Sequence, residues 1–66
     1  MPHVQITLLK GRTIEQKRQT VKRITEVMQD ELDVKPEALS IVFVEVAHED
    51  YARSGVLIAD RTAPKT

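Results

Sequence analysis

The sequence contains no cysteine and no tryptophan, and only two of its 66 residues are aromatic. Without cysteine the chain has no disulfide, no thiolate nucleophile and no sulfur ligand for a metal. No apolar stretch approaches the roughly 18–20 residues that span a bilayer, and no secretory hydrophobic segment follows Met1. We therefore expect a soluble cytoplasmic protein with no membrane partner.

The sequence also lacks an excess of charge of either sign, because ten Lys and Arg residues balance ten Asp and Glu residues. Nucleic-acid-binding proteins normally carry a basic excess. The two aromatic residues, Phe43 and Tyr51, are too few to form a base-stacking platform. We therefore expect no nucleic-acid partner.

The 66 residues allow one small domain, predicted over residues 1–66. In so short a chain, the burial of apolar surface barely offsets the entropy cost of ordering the residues. The hydrophobic content of 41% is nevertheless too high for a disordered chain. Because no disulfide adds stability, we expect the chain to be stabilised by oligomerisation.

The first half of the chain predicts a strand followed by a long helix. Apolar and polar residues alternate over residues 3–9, as in a half-buried strand. Thr13 and Gln16 form the capping-box pattern that opens a helix. Pro36 cannot continue this helix, so we expect it to end near Asp33 after about 20 residues, or roughly 30 Å.

The second half predicts a strand over residues 40–46, a turn at residues 54–55 and a short strand over residues 56–59. A strand, a helix and a strand form one right-handed β-α-β unit whose strands are parallel. Two strands and one helix leave a bare sheet face and open edges, so this unit is not expected to stand alone.

Charge on the predicted helix is divided between its two halves, in an order that opposes the helix dipole. Two such helices packed antiparallel would place basic halves beside acidic halves. The alternative is a solvated face with local ion pairs. The basic residues of the first half are Lys17, Arg18, Lys22 and Arg23, and the acidic residues of the second half are Glu26, Asp30, Glu31 and Asp33.

Pro2 is the first candidate for chemistry. Methionine is usually removed when a small residue follows it, which would leave Pro2 with a free secondary amine. A terminal amine has a pKa of about 7.7–8.0, and an apolar site or a neighbouring arginine would lower it. A neutral amine near pH 7 is a competent general base. The alternative is a proline with no catalytic role.

Charged residues in the predicted turns are further candidates. Arg12 lies between Gly11 and the helix start, where its guanidinium and free N–H groups could bind an anion. The alternative is an exposed arginine in a turn. His3 is predicted at a strand edge or a subunit contact. Residues 48–50, His-Glu-Asp, are adjacent in the chain and are not expected to converge on a metal ion.

In this order and in so short a chain, these features resemble the 4-oxalocrotonate tautomerase family. A proline follows the initial methionine and a short strand follows the proline. The resemblance covers roughly residues 2–61. Its other motifs are residues 9–13 (Leu-Lys-Gly-Arg-Thr), 15–17 (Glu-Gln-Lys), 41–46 (Ile-Val-Phe-Val-Glu-Val), 50–51 (Asp-Tyr) and 54–55 (Ser-Gly).

The resemblance implies an α+β fold: a single β-α-β unit with a short C-terminal hairpin. It also implies a homo-oligomer. Two units would form a dimer with a four-stranded sheet and two antiparallel helices, and a trimer of dimers would form a hexamer. The implied activity is the tautomerisation of a small enol or keto carboxylate, in the degradation of aromatic compounds, with no metal and no organic cofactor.

The resemblance also assigns the residues of the site. Pro2 matches the catalytic base of the family, and Arg12 matches the arginine that binds a substrate carboxylate. Tyr51 stands where the family has an aromatic wall, and Leu9 lies at the pocket-lining end of the first strand. Ser40 stands where the best-known members carry a second arginine.

A hydroxyl at Ser40 is a neutral and weaker donor than a guanidinium. Arg53 or Arg61 of another subunit, a backbone N–H or a water could supply the missing donor.

The resemblance predicts a tautomerase that acts on an unsaturated 2-hydroxy or 2-keto carboxylate. The alternatives are a cofactor-independent dehalogenase or hydratase of the same superfamily, and a catalytically silent assembly subunit.

Overall fold

The computed structural model describes residues 1–61, which form a β-α-β unit followed by a short hairpin. This confirms the predicted α+β fold class; the last five residues of the predicted domain lie outside the described part. Short 3₁₀ turns precede and follow the second strand, at Pro36–Ala38 and His48–Asp50. The other elements are β1 (His3–Leu9), α1 (Ile14–Leu32), β2 (Ser40–Val46), β3 (Ala52–Arg53), β4 (Val56–Leu57) and α2 (Ile58–Arg61).

Strands β1 and β2 pair in parallel over their whole length, with His3 opposite Ser40 and Leu9 opposite Val46. Backbone hydrogen bonds tie the two strands together at both ends. The Ser40 N–H donates to the Pro2 carbonyl at 3.3 Å, and the Lys10 N–H donates to the Val46 carbonyl at 3.0 Å. Both strand predictions, and their parallel pairing, are confirmed.

Helix α1 covers only one of the two faces of this sheet. The first half of α1 lies over one face, where Lys17 contacts the Phe43 ring and the Glu45 carboxylate of β2. Residues alternate between the faces along a strand. The opposite face is uncovered, and Val42 and Val44 on β2 are each 37% exposed there. In a single chain, therefore, β2 is covered on one face only, although its nearly continuous apolar sequence is typical of a strand covered on both.

Helix α1 begins with the predicted capping box. The Gln16 N–H donates to the Thr13 hydroxyl at 3.1 Å, and the Thr13 N–H donates to the Gln16 side-chain oxygen at 2.8 Å. The helix ends at Leu32, and Asp33 takes the left-handed conformation with φ 56°. The N–H of Asp33 then donates back to the Gln29 carbonyl at 3.1 Å. Both predicted ends of the helix are confirmed.

We expect Thr13→Ala to lower the free energy of unfolding by about 1 kcal/mol, because one N-terminal N–H of α1 loses its side-chain acceptor. Thr20→Ala is the matched control. Among the described residues the Thr20 hydroxyl bonds only the Gln16 carbonyl of its own helix, so its loss is expected to be neutral or slightly stabilising. Thermal unfolding of both variants at one protein concentration checks this, and equal melting temperatures would contradict it.

The apolar stripe of α1 is only partly covered. Val21, Ile24 and Met28 are half-buried, whereas Val27 is 56% and Leu32 is 63% exposed. Among the described residues only Ile58, at 9% exposure, counts as a buried hydrophobic side chain. The single chain therefore lacks a closed core, as expected for a unit that is stabilised by association.

The C-terminal hairpin differs from the prediction at its second strand. Its two-residue loop places Ser54 and Gly55 at φ 55° and 79°, the positive values that such tight turns require. The predicted strand over residues 56–59 is too long, because Ile58 and Ala59 already belong to α2. None of the helices in the described part of the chain is long and apolar enough to cross a membrane.

Candidate active site

The amino ends of the two parallel strands bring together Pro2, His3 and Ser40. Besides the backbone bond from Ser40 to Pro2, the His3 Nδ1 atom and the Ser40 hydroxyl lie 2.7 Å apart. Pro2 is half-buried, and Met1 before it is 95% exposed. Pro2 is thus held by the sheet, while the residue that precedes it projects into solvent.

The carboxyl ends of the same strands lead to the other predicted site residues. Leu9 is the last residue of β1, and Arg12 follows it after a turn through Gly11. Gly11 has φ 136°, a value that other residues adopt only with strain, and this fixes the direction in which the chain enters α1. Tyr51 follows β2 after one 3₁₀ turn and is 39% exposed.

The predicted site residues therefore form two groups at opposite ends of one sheet. Since a strand rises about 3.3 Å per residue, the ends of these seven-residue strands lie roughly 20 Å apart. Pro2 and Ser40 share one end, and Leu9, Arg12 and Tyr51 follow the other. Within one chain the structure does not bring the five residues into one pocket.

Arg12 is exposed and lies at the mouth of a groove between α1 and the covered face of the sheet. The capping box already uses the N–H groups of Thr13 and Gln16. The predicted anion site at the helix start therefore consists of the guanidinium of Arg12 and the N–H groups of residues 14 and 15, which the capping box does not use.

The groove itself has a volume of about 650 Å³ and an apolar floor made by Ile6, Leu8 and Phe43. Neither Pro2 nor Ser40 lines it. At its edge the Lys17 amine lies 2.6 Å from the Glu45 carboxylate and 5.9 Å from the centre of the Phe43 ring. The sequence did not predict this ion pair, because its partners are far apart in the chain and no local motif links them.

Arg53 and Arg61 were considered as replacements for the family's second arginine, where this chain has Ser40. The structure gives these two arginines different surroundings. The Arg61 guanidinium donates to the Arg53 carbonyl at 2.5 Å, which closes the hairpin. Arg53 follows Tyr51 by two residues of extended chain, so the two side chains lie on the same side of the hairpin. Arg61 thus has a structural partner, whereas Arg53 shares one side of the hairpin with Tyr51, the predicted aromatic wall.

Metal binding was not expected at residues 48–50. Over residues 1–61 no group of three or more His, Cys, Asp or Glu side chains is placed to hold a metal ion. These three residues instead form the 3₁₀ turn that carries the chain from β2 towards Tyr51.

Comparison with known proteins identifies the family. The family model described as "Tautomerase enzyme" matches residues 2–61. The chain belongs to the tautomerase family. Over 60 residues this chain is 33% identical to the 2-hydroxymuconate tautomerase of Bacillus subtilis, an alignment that covers 91% of this chain and 97% of that protein.

Solved structures agree with this assignment. A chain from the 4-oxalocrotonate tautomerase isozymes of Methylibium petroleiphilum superposes with a TM-score of 0.89 at 42% identity, covering 94% of this protein and 97% of that chain. A chain of the heterohexamer 4-oxalocrotonate tautomerase of Chloroflexus aurantiacus superposes with a TM-score of 0.83 at 25% identity, covering 91% and 97%. The resemblance seen in the sequence is confirmed, and these relatives support an isomerase activity for this member of the family.

Proposed function

We propose that this protein moves a proton within an unsaturated 2-hydroxy or 2-keto carboxylate, with the Pro2 nitrogen as general base. The observation that carries this proposal is the family match, which begins at Pro2 and runs to residue 61. The base requires removal of Met1. The 95% exposure of Met1 supports this step, because cleavage there removes no packed side chain.

Loss of Met1 would leave the position of Pro2 unchanged. The hydrogen bond from the Ser40 N–H reaches the Pro2 carbonyl, not its nitrogen, so it survives the cleavage. The new secondary amine would then stand at the end of a paired strand, with its lone pair free to accept a proton.

We propose that the complete site forms between copies of the chain. Pro2 and Arg12 lie near opposite ends of the sheet in one chain, so they can share a substrate only when they come from different copies. The uncovered sheet face and the exposed residues of α1 support such association. The heterohexameric relative supports a hexamer, and we expect a homohexamer built as a trimer of dimers, each dimer with a four-stranded sheet.

In this assembly Pro2 takes a proton from a carbon of a 2-keto acid, or from the hydroxyl oxygen of a 2-hydroxy acid, and delivers it to another carbon, so no atoms are gained or lost. Arg12 of a neighbouring copy binds the substrate carboxylate and lowers the pKa of the Pro2 nitrogen. Leu9 and Tyr51 form apolar walls that exclude water and strengthen both interactions. The amine and the guanidinium supply this chemistry without a metal or an organic cofactor.

Two measurements test the proposal. Mass spectrometry of the purified chain is expected to show the mass without Met1. With 2-hydroxymuconate in deuterium oxide, the conjugated ketone is expected to form at a rate proportional to enzyme and to carry deuterium at the carbon that receives the proton. A retained Met1, or product formation no faster than without enzyme, would contradict the proposal and favour a silent subunit.

A further inference from the structure

We propose that His3, oriented by Ser40, is a second hydrogen-bond donor of the active site and stabilises the negative charge that develops on the substrate carbonyl oxygen. This inference rests on the proposed role of Pro2 as the base. It assigns the function of the absent second arginine to a pair of side chains, in which the imidazole contacts substrate and the hydroxyl holds it in place.

The first support is the geometry of the pair. His3 and Ser40 are direct partners in the register of β1 and β2, so their side chains share one face of the sheet. The Nδ1 atom of His3 lies 2.7 Å from the Ser40 hydroxyl oxygen. If the hydroxyl donates to Nδ1, the ring hydrogen is on Nε2. The Nε2 atom has no hydrogen-bond partner among residues 1–61, and the side chain is exposed.

The second support is that both partners are linked to the backbone of Pro2. His3 follows Pro2 directly in the chain, and Ser40 donates its backbone N–H to the Pro2 carbonyl at 3.3 Å. Ser40 thus fixes the backbone of the base with its N–H and the ring of His3 with its hydroxyl. The nitrogen that removes the proton and the proposed donor are therefore parts of one rigid strand end.

The third support is the chemistry that the proposed reaction requires. When Pro2 removes a proton from a carbon of a 2-keto acid, the electron pair of the broken C–H bond moves through the conjugated system onto the carbonyl oxygen. When Pro2 removes the hydroxyl proton of a 2-hydroxy acid, the electron pair of the broken O–H bond stays on that same oxygen. A donor aimed at that oxygen lowers the barrier, and the charge disperses again when Pro2 returns the proton to the other carbon. An imidazole N–H pairs with a single oxygen, whereas a guanidinium pairs with both oxygens of a carboxylate. The site therefore favours a 2-keto acid with one carboxylate, bound by Arg12.

The main test replaces His3 by leucine and measures kcat and KM on 2-hydroxy-2,4-pentadienoate, which has one carboxylate. We expect kcat to fall by about 10²- to 10³-fold, as for the loss of one donor to a developing oxyanion. Gln5→Leu is the matched control, because Gln5 is exposed on the same face of β1 and, within residues 1–61, its side chain bonds only Thr7. Native mass spectrometry of both variants checks the assembly.

His3→Gln is a second test for the case in which leucine at this position prevents folding. A glutamine amide keeps an N–H donor at this position. We expect His3→Gln to retain more of kcat than any variant without a donor. A folded His3→Leu variant within threefold of the wild-type kcat would overturn the proposal. If His3→Leu does not fold, a His3→Gln variant no more active than His3→Ala would overturn it.

Ser40→Ala and Ser40→Thr test the positioning role. The alanine variant is expected to lower kcat with little change in KM, and the threonine variant, which keeps the hydroxyl, is expected to restore kcat. Nitrogen-15 NMR of His3 provides a readout that a purely structural role would not move. We expect mainly the Nε2–H tautomer in the wild type and a mixture of tautomers in Ser40→Ala, and an unchanged spectrum would contradict the assignment.

Two further variants separate this inference from the proposed function. If Pro2→Ala is inactive while His3→Leu and Ser40→Ala keep full activity, the base role survives and the donor role of His3 fails. If Arg53→Ala causes the large loss in kcat instead, the donor comes from the hairpin beside Tyr51, and the proposal is also overturned. A wild-type enzyme with no activity on either hydroxy acid would instead be a failure of the proposed function.

The substrate preference follows from the same pair. Wild-type kcat/KM on 2-hydroxy-2,4-pentadienoate is expected to equal or exceed that on 2-hydroxymuconate, which has two carboxylates. Ser40→Arg is expected to reverse this order, because a guanidinium at this position would bind the second carboxylate. A wild type that strongly prefers the dicarboxylate would contradict the assignment.

Discussion

Replacing Pro2 by alanine is expected to lower kcat on either hydroxy acid by about 10²- to 10⁴-fold, the usual contribution of a positioned general base. Alanine after Met1 still permits removal of the methionine, but the remaining primary amine lacks the ring that restricts its direction. KM is expected to change little, because Pro2 is proposed to act on the proton and not to bind the carboxylate. Stopped-flow or steady-state absorbance of ketone formation measures both constants.

Folding and assembly are expected to be unchanged in Pro2→Ala, because the carbonyl that accepts from Ser40 is present in any residue. Circular dichroism and native mass spectrometry verify this. A wild-type chain with one additional residue that blocks the Pro2 nitrogen is the second control, and it is expected to be at least as inactive as the alanine variant. A blocked chain with full activity would exclude the proline nitrogen as the base.

Replacing Arg12 by alanine is expected to raise KM by about 10- to 100-fold, because a charge-assisted hydrogen bond to the substrate carboxylate is lost. The variant also loses the positive charge proposed to lower the pKa of the Pro2 nitrogen. Since only the neutral amine acts as a base, the rise of activity with pH is expected to move to higher pH in this variant. Kinetics over pH 5–9 measure both effects.

Arg18→Ala is the matched control for Arg12, because it removes a guanidinium from the same region of the chain. In the described part of the chain Arg18 pairs only with Glu15 at 3.2 Å, and both side chains are 64% exposed. Exposed ion pairs of this kind contribute about 0–1 kcal/mol to stability. We expect Arg18→Ala to keep the wild-type KM, and equal effects of the two substitutions would argue against a specific role of Arg12.

The fold was largely predictable because its signals are local. Alternation set the bounds of β1, and the capping box of Thr13 and Gln16 together with Pro36 set those of α1. The failure at Ile58 has a physical reason. Ile58 continues the apolar run of β4, but its N–H already bonds the Tyr51 carbonyl at 2.8 Å at the end of the hairpin ladder, and the chain turns into α2.

The candidate site was less predictable, because its residues interact over long distances in the chain. No sequence pattern links His3 with Ser40, and their contact follows only from the register of two parallel strands. The sequence also gives no direct sign that the site residues form two groups at opposite ends of the sheet. Leu9 and Pro2 are seven positions apart in the sequence, but a strand places them at opposite ends of the sheet.

The hydrogen bond between the Ser40 N–H and the Pro2 carbonyl has a consequence for how such an enzyme can change. A main-chain nitrogen that accepts a proton has no side-chain rotamers to be restricted, so its position is determined by the hydrogen bonds of the sheet. Substitutions in the hairpin or in the turn before α1 can then alter which molecules are accepted without displacing the nitrogen that is proposed as the base. Such a scaffold can acquire new substrates while its chemistry stays constant.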